Sequence, residues 1–258
     1  MGLRVTLLPT TYGSESQLQP LTSFLVNDRV AVDAGCLGLA LAPDRLHEVT
    51  DVIVTHPHID HTGALPVHVA AAYTRLTEPV RVYATPDVIE ALRTHLFNEV
   101  MWPDFTQIPL VNSDEPAMEF VPIGEGETFE VQGLRVTPVA VNHVVPTVGL
   151  TVEGDGASVA FTSDTYRTDE LWRRAGRLGD LAAVFVDCSF PNDLDWLAER
   201  SGHLTPGLIV EEMRKLGRAA HVFAVHIKPS DRARVLSEID ALGRADFTAA
   251  RLGTEYGW

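Results

Sequence analysis

Cysteine is nearly absent from this chain of 258 residues: Cys36 and Cys188 are the only two. So few thiols exclude a disulfide-stapled framework and fit a reducing compartment. Also missing is any apolar run of the ~18–20 residues that a membrane-spanning helix needs, which sets integral membrane function aside. The opening Met1-Gly2-Leu3-Arg4 has neither the basic region nor the apolar stretch of a secretory signal, so the expected address is cytoplasmic. Basic residues are few, 20 against 35 acidic ones, and the densest pairs, Arg173-Arg174 and Arg214-Lys215, form no stripe. With a net charge of −15 the chain is not expected to bind nucleic acid or an anionic membrane surface. No repeat, low-complexity tract or Gly/Ser-rich linker interrupts it, so residues 1–258 read as one domain.

What is present is an ordered series of short elements. Residues 5–8, 23–26 and 30–33 read as strands, the last two flanking a tight turn at Asn27-Asp28. A buried strand at 51–55 is followed by a helix over 64–76 with Pro66 in its first turn, where a missing N–H costs little. Residues 79–84 return to strand, and Thr85-Pro86-Asp87 starts a helix expected to run over 88–100. Residues 112–122 read as a long surface loop. Strands at 127–131, 134–141, 147–152 and 158–162 suggest an antiparallel meander, broken at Gly133 and Gly154-Asp155-Gly156. Helices at 168–176, from Thr205-Pro206 to Leu216, and from Ser230-Asp231 onward alternate with strands at 183–187 and 220–226. The pattern predicts two sheets packed together and covered by helices.

The strongest chemical signal is His56-Pro57-His58-Ile59-Asp60-His61, three imidazoles and a carboxylate directly after a buried strand. Such a loop can turn alternate side chains toward two adjacent centres. Its nitrogen and oxygen donors suit Zn, Fe or Mn rather than Ca. His-x-His-x-Asp-His after a strand resembles the defining motif of the metallo-β-lactamase superfamily. The resemblance extends over the chain, with further candidates in the right order: His143 after a strand, Asp164 in Phe161-Thr162-Ser163-Asp164-Thr165, and His226 at a strand end. It implies an α+β fold, a four-layer αββα sandwich of two mixed β-sheets flanked by helices. It also implies two divalent ions, with His56, His58 and His143 around one, Asp60, His61 and His226 around the other, and Asp164 bridging. Zinc is the expected metal, with manganese and iron as alternatives. Asp33, ending an early strand, either orients a ligand histidine or starts the turn before Gly35.

Further segments resemble the class II cyclic-nucleotide phosphodiesterases: His95-Leu96-Phe97-Asn98 with Trp102-Pro103, Ser201-Gly202-His203-Leu204-Thr205-Pro206, and His226-Ile227-Lys228-Pro229. Asp187-Cys188-Ser189-Phe190-Pro191-Asn192 is similar to another family segment. This resemblance implies hydrolysis of a 3′,5′-cyclic nucleotide, cAMP first, to the 5′-monophosphate by water activated at two metal ions. Asp60 would orient the nucleophile and His203 would protonate the leaving sugar oxygen. His203 stands just before a helix start, where a phosphate contact or simple packing are the other readings. Thr205 and Lys228 are substrate-binding candidates, and His95, Asn98 and Trp102, on one face at helical spacing, are candidates for a wall on the nucleoside side. The expected partner is a small anionic nucleotide, with no nucleic acid and no membrane, and a homodimer is left open. Cys188 reads as a small buried residue, and His47, His68 and His221 as surface or packing residues. The rivals are a tRNA 3′-end endonuclease or another cyclic-phosphate phosphodiesterase on the same site, and a non-catalytic metal-binding or sensing module.

Overall fold

In the computed structural model, which describes residues 2–258, the chain opens with β1 (Arg4–Leu7), β2 (Phe24–Val26), β3 (Val30–Val32) and the single turn α1 (Leu37–Ala40). It continues with β4 (Asp51–Ile53), α2 (Ile59–Thr62), α3 (Leu65–Ala72), β5 (Val80–Ala84), α4 (Pro86–His95) and β6 (Met118–Pro122). Next come β7 (Phe129–Val131), β8 (Leu134–Ala140), β9 (Val148–Gly154), β10 (Ala157–Phe161), α5 (Glu170–Arg177) and β11 (Leu181–Asp187). The last elements are α6 (Asp195–Ser201), α7 (Pro206–Met213), β12 (His221–Val225), α8 (Arg232–Ala241), β13 (Phe247–Ala249) and β14 (Glu255–Gly257). They form two seven-stranded sheets, ordered β14-β1-β2-β3-β4-β5-β6 and β13-β12-β11-β10-β9-β8-β7.

Period-two alternation sends each strand's side chains into two different cores. In β3, Val30 and Val32 face the space between the sheets, while Ala31 faces α1, α3 and α4. In β11, Ala183 and Phe185 face inward, while Val184 and Val186 meet α5, α7 and α8. The result is the expected αββα sandwich. Its middle is filled by rings: Phe24 lies 4.9 Å from Phe161, which stacks on Phe185 at 5.2 Å. Full burial of a phenylalanine contributes about 1.5–3 kcal/mol, so this cluster is a large part of what holds the two sheets together.

Parallel pairing sets the geometry of the functional end. β3, β4, β5 and β6 run parallel, as do β10, β11, β12 and β13, so both sheets present several strand ends on one side. The start of β4 is pinned by buried Asp51, whose carboxylate accepts from Arg81 at 2.7 Å, Tyr83 at 3.0 Å and Gln132 at 2.7 Å. β7 to β10 are an antiparallel meander, as the spacing suggests. The Asn27-Asp28 turn also forms, with φ of 49° and 60° at its two central residues.

Two expectations are corrected. The helix expected over 88–100 ends at His95. There Asn98 Nδ2 donates to the Thr94 carbonyl at 2.9 Å, and Asn98 Oδ1 accepts from Met101 N at 2.8 Å, folding the chain back. The loop expected over 112–122 ends in β6, which pairs parallel with β5 as an edge strand and places Pro122 at its end. Among the described residues no helix is long and apolar enough to cross a membrane.

His68 on α3 is fully buried: Nε2–H donates to the Val49 carbonyl at 2.9 Å, and Nδ1 is buried without a partner. Burial pushes its pKa down to about 4, against about 6.5 in an unfolded chain. The unfolded state therefore takes up the proton first. The stability this histidine allows is complete above roughly pH 6.5 and is lost as pH falls toward 4, about 3 kcal/mol in all. Urea unfolding of chelator-treated protein at pH 7.5 and 5 should show wild type losing about 2 kcal/mol more than His68→Leu. Equal losses would contradict the assignment.

Candidate metal centre

The strand ends converge on one polar pocket. Beyond β4 the chain runs extended through His56-Pro57-His58 and then turns into α2, which carries Asp60 and His61. His143 follows β8, Asp164 follows β10, and His226 follows β12. Their donor atoms fall into two groups, each within 4.8 Å: His56, His58, His143 and Asp164, and Asp60, His61, Asp164 and His226. Asp164 belongs to both. Its carboxylate lies 3.6 Å from His56 Nε2, 3.2 Å from His61 Nε2 and 3.5 Å from His226 Nε2. The structure therefore brings together all seven residues expected as ligands.

A second layer fixes which nitrogen each ring presents. His61 Nδ1–H donates to Asp33 at 2.7 Å, His143 Nδ1–H to the Gly202 carbonyl at 2.8 Å, and His226 Nδ1–H to Ser189 Oγ at 2.9 Å. An Nδ1 committed outward leaves the Nε2 lone pair facing the centre, the tautomer a metal requires. His56 has Thr55 Oγ1 at 3.1 Å from Nδ1, and that hydroxyl is itself held by Asp33. The Nε2 atom of His56 is buried with no hydrogen-bond partner among the described residues, whereas His61 Nε2 faces the Asp164 carboxylate at 3.2 Å. A buried polar atom left unpaired is costly, so an inward lone pair of this kind fits a divalent cation as the missing partner.

Electrostatics agree with that fit. Burial, with His61 beside it, pushes His56 well below the usual imidazole range, so it is neutral. Burial opposes the charge on Asp164, but His226 and His61 outweigh it and hold the carboxylate ionised. Burial also opposes a charge on His61, which Asp164 and Asp33 reverse, so this ring must release a proton when it takes a metal.

Backbone strain concentrates here. Asp33, Ser163 and His226 hold φ of 59°, 54° and 60°, the left-handed region that L-residues avoid by roughly 1–2 kcal/mol. Gly202, at φ 75°, caps α6, and a Cβ there would sit 2.7 Å from His143 Nδ1. Only glycine lets that carbonyl approach the ring.

His203 stands against the pocket, its ring 5.4 Å from that of His226 and 5.2 Å from that of His143. Its Nδ1–H donates to Asp187 at 2.7 Å, and Ser189 Oγ donates to the other oxygen of Asp187 at 2.7 Å. Burial opposes the imidazolium, but Asp187 outweighs it and raises the pKa. Lys228 Nζ lies at the rim, 3.7 Å from Asp60. His95 lines a groove of about 230 Å³ together with Pro57, Ile59, Leu92 and Leu96. Three candidates fall elsewhere. Thr205 is buried and caps α7, accepting from Leu208 N, so its hydroxyl is not available to a substrate. Asn98 is committed to its turn, and Trp102 is partly buried against the helix-side core of the first sheet. Asp187, Ser189, Thr55 and Ser163 carry much of the second layer, and no role was read for them in the sequence.

Residues 29–227 match the family model of the β-lactamase superfamily domain. The 3′,5′-cyclic-nucleotide phosphodiesterase 1 of Saccharomyces cerevisiae is 24% identical over 219 residues, covering 72% of this chain and 58% of the yeast protein. This chain thus spans little more than half the length of that relative. The chloroplastic tRNase Z TRZ2 of Arabidopsis thaliana is 29% identical over 112 residues, 43% of this chain and 29% of its own. The crystal structure of unliganded yeast PDE1 superposes with a TM-score of 0.81 at 17% identity, over 100% of this chain and 99% of that one.

Proposed function

The chain belongs to the β-lactamase superfamily, and from that premise we propose that it is a metal-dependent phosphodiesterase opening 3′,5′-cyclic nucleotides, cAMP first, to 5′-monophosphates. One observation carries the reading: a pocket of seven candidate ligands has a carboxylate-held histidine, His203, seated against two of their rings. The name of the yeast relative supplies the substrate class.

In this reading His56, His58 and His143 hold one ion, Asp60, His61 and His226 hold a second, and Asp164 is shared. Their nitrogen and oxygen donors favour zinc, with manganese and iron as alternatives. When bound, the ions supply charge neutralisation at the phosphate and lower the pKa of water. Asp60, partly open to solvent, orients the attacking water. As the water oxygen gives up a proton to solvent and bonds to phosphorus, the P–O3′ bond breaks, His203 delivers its proton to O3′, and solvent then reprotonates the ring. Asp187 acts through His203 as a positioning residue, fixing the ring through Nδ1 so that the opposite edge faces the leaving group. Lys228 at the rim meets the anionic phosphate, and His95 with its groove forms the nucleoside side. A small nucleotide is the partner, without nucleic acid or membrane, in a cytoplasmic setting.

The Arabidopsis relative gives the second reading, a tRNA 3′-end endonuclease, against which stands a net charge of −15. The two separate by turnover. Cyclic 3′,5′-mononucleotides should be hydrolysed far faster than a tRNA precursor, with weak dependence on salt, because 20 basic residues against 35 acidic ones disfavour holding RNA. Trimming of tRNA 3′ ends without cyclic-nucleotide turnover, falling steeply with salt, would transfer the assignment to the endonuclease.

A further inference from the structure

Between β1 and β2 the chain crosses beside the centre as a strap, and its residues 19–22 touch two candidate ligands by their backbones. Gln19 is buried, and its Oε1 accepts from the His226 N–H at 2.8 Å across 207 positions of sequence. Gln19 Nε2 donates to Thr22 Oγ1 at 3.3 Å. The Thr22 N–H in turn donates to the Asp60 carbonyl at 2.8 Å, and the Thr22 carbonyl accepts from Gly35 N at 3.0 Å. The crossing is so tight that a Cβ on Gly35 would lie 1.9 Å from the Asp60 carbonyl oxygen. Upstream, Gln17 exchanges two hydrogen bonds with the backbone of Leu252, at 3.2 and 3.0 Å, which anchors the strap independently of the centre.

The two residues gripped this way belong to one candidate ion position. His226 Nε2 and Asp60 Oδ2 are 3.1 Å apart, and both are grouped with His61 and Asp164. They come from opposite sheets, Asp60 beyond β4 and His226 beyond β12, so nothing in either sheet's own pairing sets the spacing between them. His226 also sits at φ 60°, which turns its N–H toward the strap, where Gln19 is the acceptor. Neither Gln19 nor Thr22 forms a hydrogen bond with His56, His58 or His143.

We propose that Gln19 is a positioning residue that sets the Asp60–His226 spacing, and so tunes affinity at the second ion position while leaving the first alone. The proposal rests on the two-ion reading above. Loss of an outer group that orients a ligand typically costs 10–100-fold in metal affinity, and here the loss falls on one position.

The test is a zinc competition titration of the full chain against a chromophoric chelator, with the thermal midpoint of the metal-free protein measured alongside. Wild type should bind two ions in resolvable steps. Gln19→Leu should weaken one step about 10–100-fold and leave the other within about twofold. Gln19→Glu keeps an acceptor oxygen and should restore the ratio between the steps. Gln17→Leu, which frees the strap only at Leu252, should leave both steps unchanged. Where Gln19→Leu does not fold, Gln19→Met makes the same comparison. Fewer than two ions on wild type would overturn the two-ion reading itself. Two ions on wild type, with equal loss at both steps or none in the Gln19 variants, would overturn the strap alone.

Discussion

Asp164→Ala should purify with less than one metal ion per chain and with turnover at least ~10³-fold below wild type. Among the described residues Asp164 is the one carboxylate common to both candidate ion positions, and it is almost wholly buried beside the five candidate imidazoles. Its removal takes a donor from each position at once and leaves Asp33 and Asp60 as the carboxylates facing His61. Two divalent ions contribute several kcal/mol of transition-state stabilisation, and each ~1.4 kcal/mol is a factor of ten, which sets the size of the loss. Asp164→Asn, with the same shape and no charge, separates charge from packing: it should fold like wild type and still lose metal. Metal content by mass spectrometry and turnover of cAMP on the same preparation read both effects. A well-folded variant that keeps full turnover without metal would sink the metal reading altogether.

His203→Ala should lower turnover of a 3′,5′-cyclic nucleotide by about 10²–10⁴-fold, the usual contribution of a positioned general acid. The ribose O3′ leaves poorly without a proton, whereas p-nitrophenolate leaves without one. The same variant should therefore hydrolyse bis-p-nitrophenyl phosphate almost as wild type does, with metal content unchanged. His58→Ala, which removes a candidate ligand, should damage both reactions. Asp187→Asn should behave as a milder His203→Ala, because the ring keeps a neighbour at Nδ1 but loses the carboxylate that holds it. Equal slowing of both substrates in His203→Ala would make the residue a phosphate binder, and no slowing of either would make it packing.

The part of the centre readable from the chain is the part that is local. His56 to His61 lie in one loop, so their spacing alone announced a metal pocket. Asp33, at a strand end before Gly35, read equally as an orienting group or a turn starter, and the structure decides for the first, since it holds His61. Asp187 lies in a segment with a family resemblance, but nothing in the sequence gave it a role. Its role exists because parallel pairing of β10, β11 and β12 sets the ends near Asp164, Asp187 and His226 side by side. Gln19 is further still from legibility, since its partner is 207 positions away and is a backbone N–H that any residue would offer. The helix running past His95 was overcalled because Leu96 and Phe97 continue the apolar pattern, while one side chain, Asn98, ends it. β6 was hidden by the prolines and acids before it, and three-residue strands such as β13 and β14 are too short to show a period.

The left-handed backbone at Asp33, Ser163 and His226 makes this pocket the natural first target of any selection for heat resistance alone. Glycine or asparagine at Ser163 would relax the main chain and raise the melting temperature, at the cost of the hydroxyl that donates to Thr55 and steadies the neighbourhood of His56. Heat tolerance and chemical competence therefore pull in opposite directions at these strand ends. A lineage selected for robustness without a substrate would drift toward an inert but sturdier sandwich, its helices and cores intact and its centre the first thing lost.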